Sequence, residues 1–292
     1  MINKRKFNIE KIKKNINEWV LDESQKKTFF HRSTEKIKSF LNNEYDNAGL
    51  LSGNLNRLST WYFNIGVDSV LNGKDSGHDD ILLSCIYNYW HIRITYNFNL
   101  KINKKTTLDL NDIALSLSKL LALGLFNFSD GIAKVLTDGI ASDLLLGLST
   151  KSIASYIMQL YCKWKKFPLP NQMNDFLKPN QVHQQMIENL ESEDIEIIKE
   201  NIENACNFHV SRSKYDTNKE YYEFSVDRYM IYPVEILSFL KIREQLKLSN
   251  PTLSHVLMDS PLGRLHSFDE IPNAPFIEEI LQKPIIKDLL YE

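Results

Sequence analysis

Apolar residues recur along this chain at spacings of three and four, and the strict alternation of a half-buried strand is hard to find. Read at the helical period, the pattern predicts helices over 8–20, 24–42, 49–71, 79–97, 110–126, 130–146, 150–166, 181–190, 193–213, 233–247 and 275–290. Ten glycines and nine prolines in 292 residues leave long stretches free of both. The prediction is therefore an all-α fold, a multi-helix bundle or stacked helix pairs, in one lobe or two. The clearest interruption is Phe-Pro-Leu-Pro-Asn at 167–171 followed by Lys-Pro-Asn at 178–180. It divides the expected organisation into an N-terminal helical lobe (1–166), a Pro-containing connection (167–182) and a C-terminal helical lobe (183–292). The tetrapeptide Asp-Gly-Ile-Ala occurs at 130 and again at 138. Eight residues is too short for a solenoid period, so the doubling reads as chance or as two successive helix starts.

Composition narrows the class. With 43% hydrophobic residues the chain can bury a sizeable core. Its 35 basic and 37 acidic residues leave a net charge of −2, so no global field draws it to nucleic acid or anionic lipid. The most apolar run, Ile113 to Phe126, is interrupted by Ser116, Ser118 and Lys119 and falls short of the ~20 residues of a membrane span. The N-terminus has a basic start without a continuous apolar segment, unlike a secretory signal. Three cysteines, Cys85, Cys162 and Cys206, lack CxxC spacing and are odd in number, which argues against a disulfide framework or a zinc knuckle. A cytoplasmic protein without a cofactor is expected, contacting neither membrane nor nucleic acid.

One segment is sharply two-faced. At 100° per residue, Ile198, Ile202, Ala205, His209 and Arg212 share a face, opposite Glu193, Glu196, Glu200 and Glu203. Ser192 is the predicted N-cap, with Glu193 and Asp194 in the first turn. Residues 188–203 hold seven acids and one lysine, a local charge of −6. Such a face is either plainly solvated or a docking surface for a basic partner, with Glu193, Glu196, Glu200 and Glu203 as the candidate contacts.

His209 and Arg212 are the odd members of the inner stripe. A buried Arg must meet a carboxylate or several carbonyls, and Glu235 is the natural carboxylate. Pro233 suits the first position of the next helix, where Glu235 can be held by free amides or by Arg212. The expectation is a polar clasp between two helices, surrounded by Tyr222, Phe224, Tyr229 and Tyr232. Catalysis at Glu235 would need a paired acid or nucleophile at defined spacing, and none is evident.

These residues carry a likeness. The pattern His209-x-x-Arg212, Glu223-Phe224, Tyr229-x-x-Tyr232-Pro233-x-Glu235-Ile236-Leu237, Arg243, then Leu257-Met258-Asp259-Ser260-Pro261-Leu262 resembles helical immunity proteins of bacterial polymorphic toxin systems, of the PoNi type and the related immunity family forty-nine. The resemblance covers residues 205 to 265. It implies an α-helical protein without catalytic activity that neutralises a cognate toxin, often a nuclease, by stoichiometric binding. It also implies a scaffold role for Tyr232, Pro233 and Glu235.

Two other readings draw on different residues. Gly77-His78-Asp79-Asp80 contains a His-Asp dyad, with His31 upstream and Asp130 or Asp138 downstream. All-helical HD-type phosphohydrolases use a similar order to bind divalent metal, which makes His31, His78, Asp79 and Asp130 the candidate ligands of the alternative reading. The same residues also make an ordinary helix start. Residues 1–40 hold eleven Lys or Arg against five acids, with Phe7, Trp19, Phe29 and Phe30 interleaved. Without a nucleic-acid motif, this is an amphipathic helix showing lysines to solvent.

Overall fold

The computed structural model describes residues 7–146, 153–169, 179–268 and 270–291, and these form helices with no strand among them. The all-α expectation is met. A single isolated bridge, Asp109 to Leu146, is the closest approach to sheet. No helix among the described residues is long and apolar enough to cross a membrane.

The first helix, α1 (Ile9–Leu21), is capped by Asn8, whose side chain accepts from the Lys11 amide at 3.0 Å. A short turn α2 (Glu23–Gln25) runs through a π-helical stretch, Lys26–His31, into α3 (Arg32–Leu41). The long pair α4 (Ala48–Leu71) and α5 (Gly77–Lys101) forms the backbone of the molecule. Their approach depends on two glycines. A Cβ on Gly66 would lie 2.7 Å from the Gly77 carbonyl oxygen, and one on Gly77 would lie 2.6 Å from that of Gly66. Any larger residue would push the helices apart.

Next come α6 (Leu110–Ala122), α7 (Phe126–Ala141), α8 (Ile153–Lys165), α9 (Gln181–Glu188) and α10 (Ile195–Arg212). Gly124, at φ +72°, closes α6 in a left-handed turn, so α7 begins four residues before Asp130. The repeated Asp-Gly-Ile-Ala therefore lies inside one helix and marks no helix start. A short α11 (Asp227–Ile231) precedes α12 (Val234–Gln245). The predicted helix 275–290 is two, α13 (Ile277–Gln282) and α14 (Pro284–Tyr291), because Pro284 has no N–H with which to continue the first.

The central elements are α6 and α12, which pack on each other and are buried over most of their surface, polar positions included. Every residue of α6 except Asp112 is buried, as are the α12 residues from Val234 to Leu240. Around them lies a large core running from Ile12 through Leu262. Helices from both sides of the Pro-containing connection share it, and residues 170–178 of that connection lie outside the described set. A smaller core joins α3, α4 and α5 to the C-terminal pair through Ile37, Leu51, Ile277, Ile280 and Ile286. The two central helices carry three charged residues that are at most 2% exposed: Lys119 in α6, and Glu235 and Arg243 in α12.

Candidate functional site

Glu235 stands in the first turn of α12, and Pro233 is the residue just before the helix, one position earlier than its sequence predicts. The carboxylate does pair with a residue of the α10 inner stripe, but that residue is His209. Nδ1 of His209 lies 2.7 Å from Oε1 of Glu235, and both side chains are sealed from solvent. Nε2 is 3.1 Å from the Met230 carbonyl. A carbonyl only accepts, so Nε2 carries a proton, and a single further proton is shared along the line from Nδ1 to Oε1. Whichever atom holds it, the pair is neutral overall. The other carboxylate oxygen, Oε2, is buried without a partner among the described residues. Phe224 stacks on the imidazole at 3.9 Å, and the backbone carbonyl of Glu235 accepts from Ser238 at 2.9 Å and Tyr156 at 3.3 Å. Burial, with the Glu235 charge adding to it, pushes the neighbouring Cys206 thiol up to about 12, so that sulfur is an inert part of the core.

Arg212 does not reach Glu235. It sits at the half-buried end of α10, where Nε donates to Glu223 at 2.5 Å, Nη1 to Glu220 at 2.8 Å and Nη2 to the Tyr221 carbonyl at 2.6 Å. Its guanidinium also lies over Tyr222, 4.6 Å from the ring centre. The aromatic residues expected around one clasp are thus divided: Phe224 covers His209, Tyr222 lies under Arg212, and Tyr229 and Tyr232 face Phe63 of α4 at 5.2 and 6.1 Å.

Arg243 follows the other option open to a buried guanidinium, a cage of carbonyls. Nη1 donates to Leu190 (2.7 Å) and Ser192 (2.9 Å), Nη2 to Ser249 (2.7 Å), and Nε to the Asn250 side chain (3.2 Å). Leu190 and Ser192 lie in the turn entering α10, so this one side chain fixes the start of α10 against α12. Leu257, Ser260 and Leu262 are also buried, and Ser260 caps the short 3-10 turn Pro261–Gly263. The residues that carry the resemblance therefore make packing and internal hydrogen bonds.

The acidic face emerges on the opposite side of α10. Asp194, not Ser192, is the N-cap, its carboxylate accepting from the amides of Glu196 (3.0 Å) and Ile197 (3.2 Å). Glu193 therefore precedes the helix. Glu193, Glu196 and Glu200 are exposed and Glu203 is half-buried. Among the described residues none of the four forms an ion pair, as is also true of Glu35, Glu278 and Glu279, whereas Glu10, Glu18, Asp138 and Glu244 are each matched by a lysine three or four residues away. Sequence reasoning missed Ile197, which is 41% exposed among these acids. Its signal was an isoleucine on the polar side of an amphipathic helix.

The residues of the metal alternative do not converge. No group of three or more His, Cys, Asp or Glu side chains among the described residues is placed to hold a metal ion. His31 is exposed at the end of the π-helical stretch. His78 stacks on His266 at 4.0 Å. Asp130 is engaged by Tyr161 (2.7 Å) and Lys165 (2.8 Å). The three cysteines are free and buried. The chain matches no family model, no curated protein and no solved structure.

Proposed function

We propose that this protein is an immunity protein that binds a cognate bacterial toxin of the nuclease type and neutralises it by stoichiometric occlusion, with no chemistry of its own. The observation that carries the reading is the α10 face. Its acids stand unpaired among the described residues at i, i+4 and i+7 spacing, and each like-charge neighbour costs a few tenths of a kcal/mol that a lysine at such spacing would offset, as Lys14 does for Glu18 and Lys134 for Asp138 on other helices. A basic cleft docked here would turn that repulsion into attraction. Ile197 would give the contact an apolar centre. The sequence resemblance to toxin-neutralising helical proteins supports the same reading, as does the Arg243 cage that holds the turn before α10 in place.

The test is association with the co-encoded toxin domain at low and high salt, comparing wild type with the double variant Glu196→Lys, Glu200→Lys. The double variant is expected to lose about tenfold or more in association rate at low salt and most of the salt dependence. Unchanged rates at both ionic strengths would remove the toxin site from α10.

A further inference from the structure

Beneath the α4–α5 pair lies a cavity of about 250 Å³ walled by Phe63, Asn88, His91, Asp112, Lys119 and Arg228. Two of its cations, the buried Lys119 and the half-buried Arg228, lack among the described residues the set of acceptors that Arg243 has found. Lys119 is 2% exposed, yet among the described residues its ammonium donates a single hydrogen bond, to the Ser84 hydroxyl at 3.2 Å, and otherwise rests on the Phe63 ring at 3.9 Å. Arg228 reaches the same ring from the opposite chain segment, 5.5 Å from its centre, and lies 5.7 Å from that of Tyr229. Its guanidinium forms no ion pair among the described residues, and its Nε is buried without an acceptor. The Asn88 side-chain carbonyl in the same wall is also buried without a partner. Burial disfavours the charge of each cation; Arg228 adds to this at Lys119, whereas the carboxylates of Asp112 and Asp227 favour the charge of Arg228 from a distance without bonding it.

A folded chain has no reason of its own to keep this arrangement. An unpaired buried charge is destabilising, and a methionine would fill the space of Lys119 at no electrostatic cost. Two cations converging on an aromatic floor, beside a polar wall, make a receptor for an anionic group. We propose that the cavity binds a small oxyanion-bearing molecule, its carboxylate or phosphoryl group between Lys119 and Arg228 and its polar remainder toward Asn88 and Asp112. The volume is just under the roughly 300–1,000 Å³ of drug-sized sites, which limits the occupant to a small metabolite. Asp112, exposed at the opening, favours a ligand whose outer end carries hydroxyl or amino donors. The proposal is independent of toxin binding, because it concerns the free protein.

Inorganic phosphate and sodium acetate are titrated separately into the full chain while the amide NMR shifts of α4 and α6 are followed. A saturable shift with either probe is expected, and which of the two is stronger tells phosphoryl from carboxylate recognition. Arg228→Gln and Lys119→Met should each weaken binding by about tenfold or more, the scale of one charge-assisted hydrogen bond. Lys119→Met should keep or raise the melting temperature, which separates lost binding from lost fold. Should Lys119→Met fail to fold, Arg228→Gln carries the comparison alone. The absence of a saturable shift with both probes, or shifts undiminished in the folded variants, would overturn the proposal.

Discussion

The two central helices bury charge in opposite ways. In α12, Glu235 and Arg243 are completely sealed, and their hydrogen bonds reach His209, backbone carbonyls and Asn250, with Oε2 of Glu235 left without a partner among the described residues. In α6, Lys119 is as deeply buried and lines a cavity where its only partners among the described residues are one hydroxyl and a ring face. The first arrangement specifies structure. Its groups fix where α10 meets α12, and removing one member leaves another stranded. The second stabilises nothing that an apolar side chain would not stabilise better, so its cause lies outside the free protein. Depth of burial is the same in both regions, and the state of the partners is what separates scaffold from site.

The largest effect is expected at Arg243. Arg243→Ala takes the Arg243 donors from the carbonyls of Leu190, Ser192 and Ser249 and empties the space of the largest fully buried side chain among the described residues. A loss of about 3–5 kcal/mol follows, read by urea unfolding, with faster amide exchange in the turn before α10. A loss below about 1 kcal/mol would mean that the cage is dispensable and that α12 is held by apolar packing alone.

The histidines sharpen the same contrast through pH. Burial pushes His183 down to about 3, with His209 adding to it, and burial pushes His91 down to about 4. Both are neutral in the folded protein, while the unfolded chain takes up their protons near pH 6.5. Stability from these groups is full above about pH 6.5 and falls as the pH is lowered toward 4, by up to about 1.4 kcal/mol per pH unit for each. Unfolding free energies between pH 7 and 5 should show this slope, and His183→Gln should make it clearly shallower. An identical slope in the variant would mean that His183 protonates in place.

Much of the fold is legible in the sequence, because helical periodicity and the scarcity of Gly and Pro are local signals. Gly124 and Pro284 show the limit of that legibility. Each ends a helix inside a run that periodicity alone would carry on. The short α11 and the π-helical stretch left no signal that a period of 3.6 would detect. At the clasp the sequence points to Glu235, but charge alone points to the wrong partner. His209 and Arg212 lie on the same stripe, and pairing by charge favours Arg. The long Arg side chain instead extends to Glu223 and Glu220 at the surface, while the short planar imidazole stays inside against Phe224. Lys119 was visible as the one charge in an apolar run. What it faces was not, since Phe63, Asn88, His91 and Arg228 come from segments far apart in the chain and only the tertiary fold assembles them.

The contrast between closed and open burial comes down to one paired measurement, thermal unfolding of Glu235→Met and Lys119→Met beside the wild type. The same apolar side chain is placed once in each region. Glu235→Met strands His209 and should lower the melting temperature by several degrees, equivalent to about 1–3 kcal/mol. Lys119→Met removes a charge the fold does not use and should leave the melting temperature unchanged or raise it, by about 1 kcal/mol. Comparable destabilisation by both substitutions would contradict the account, because Lys119 would then be as much a part of the scaffold as Glu235.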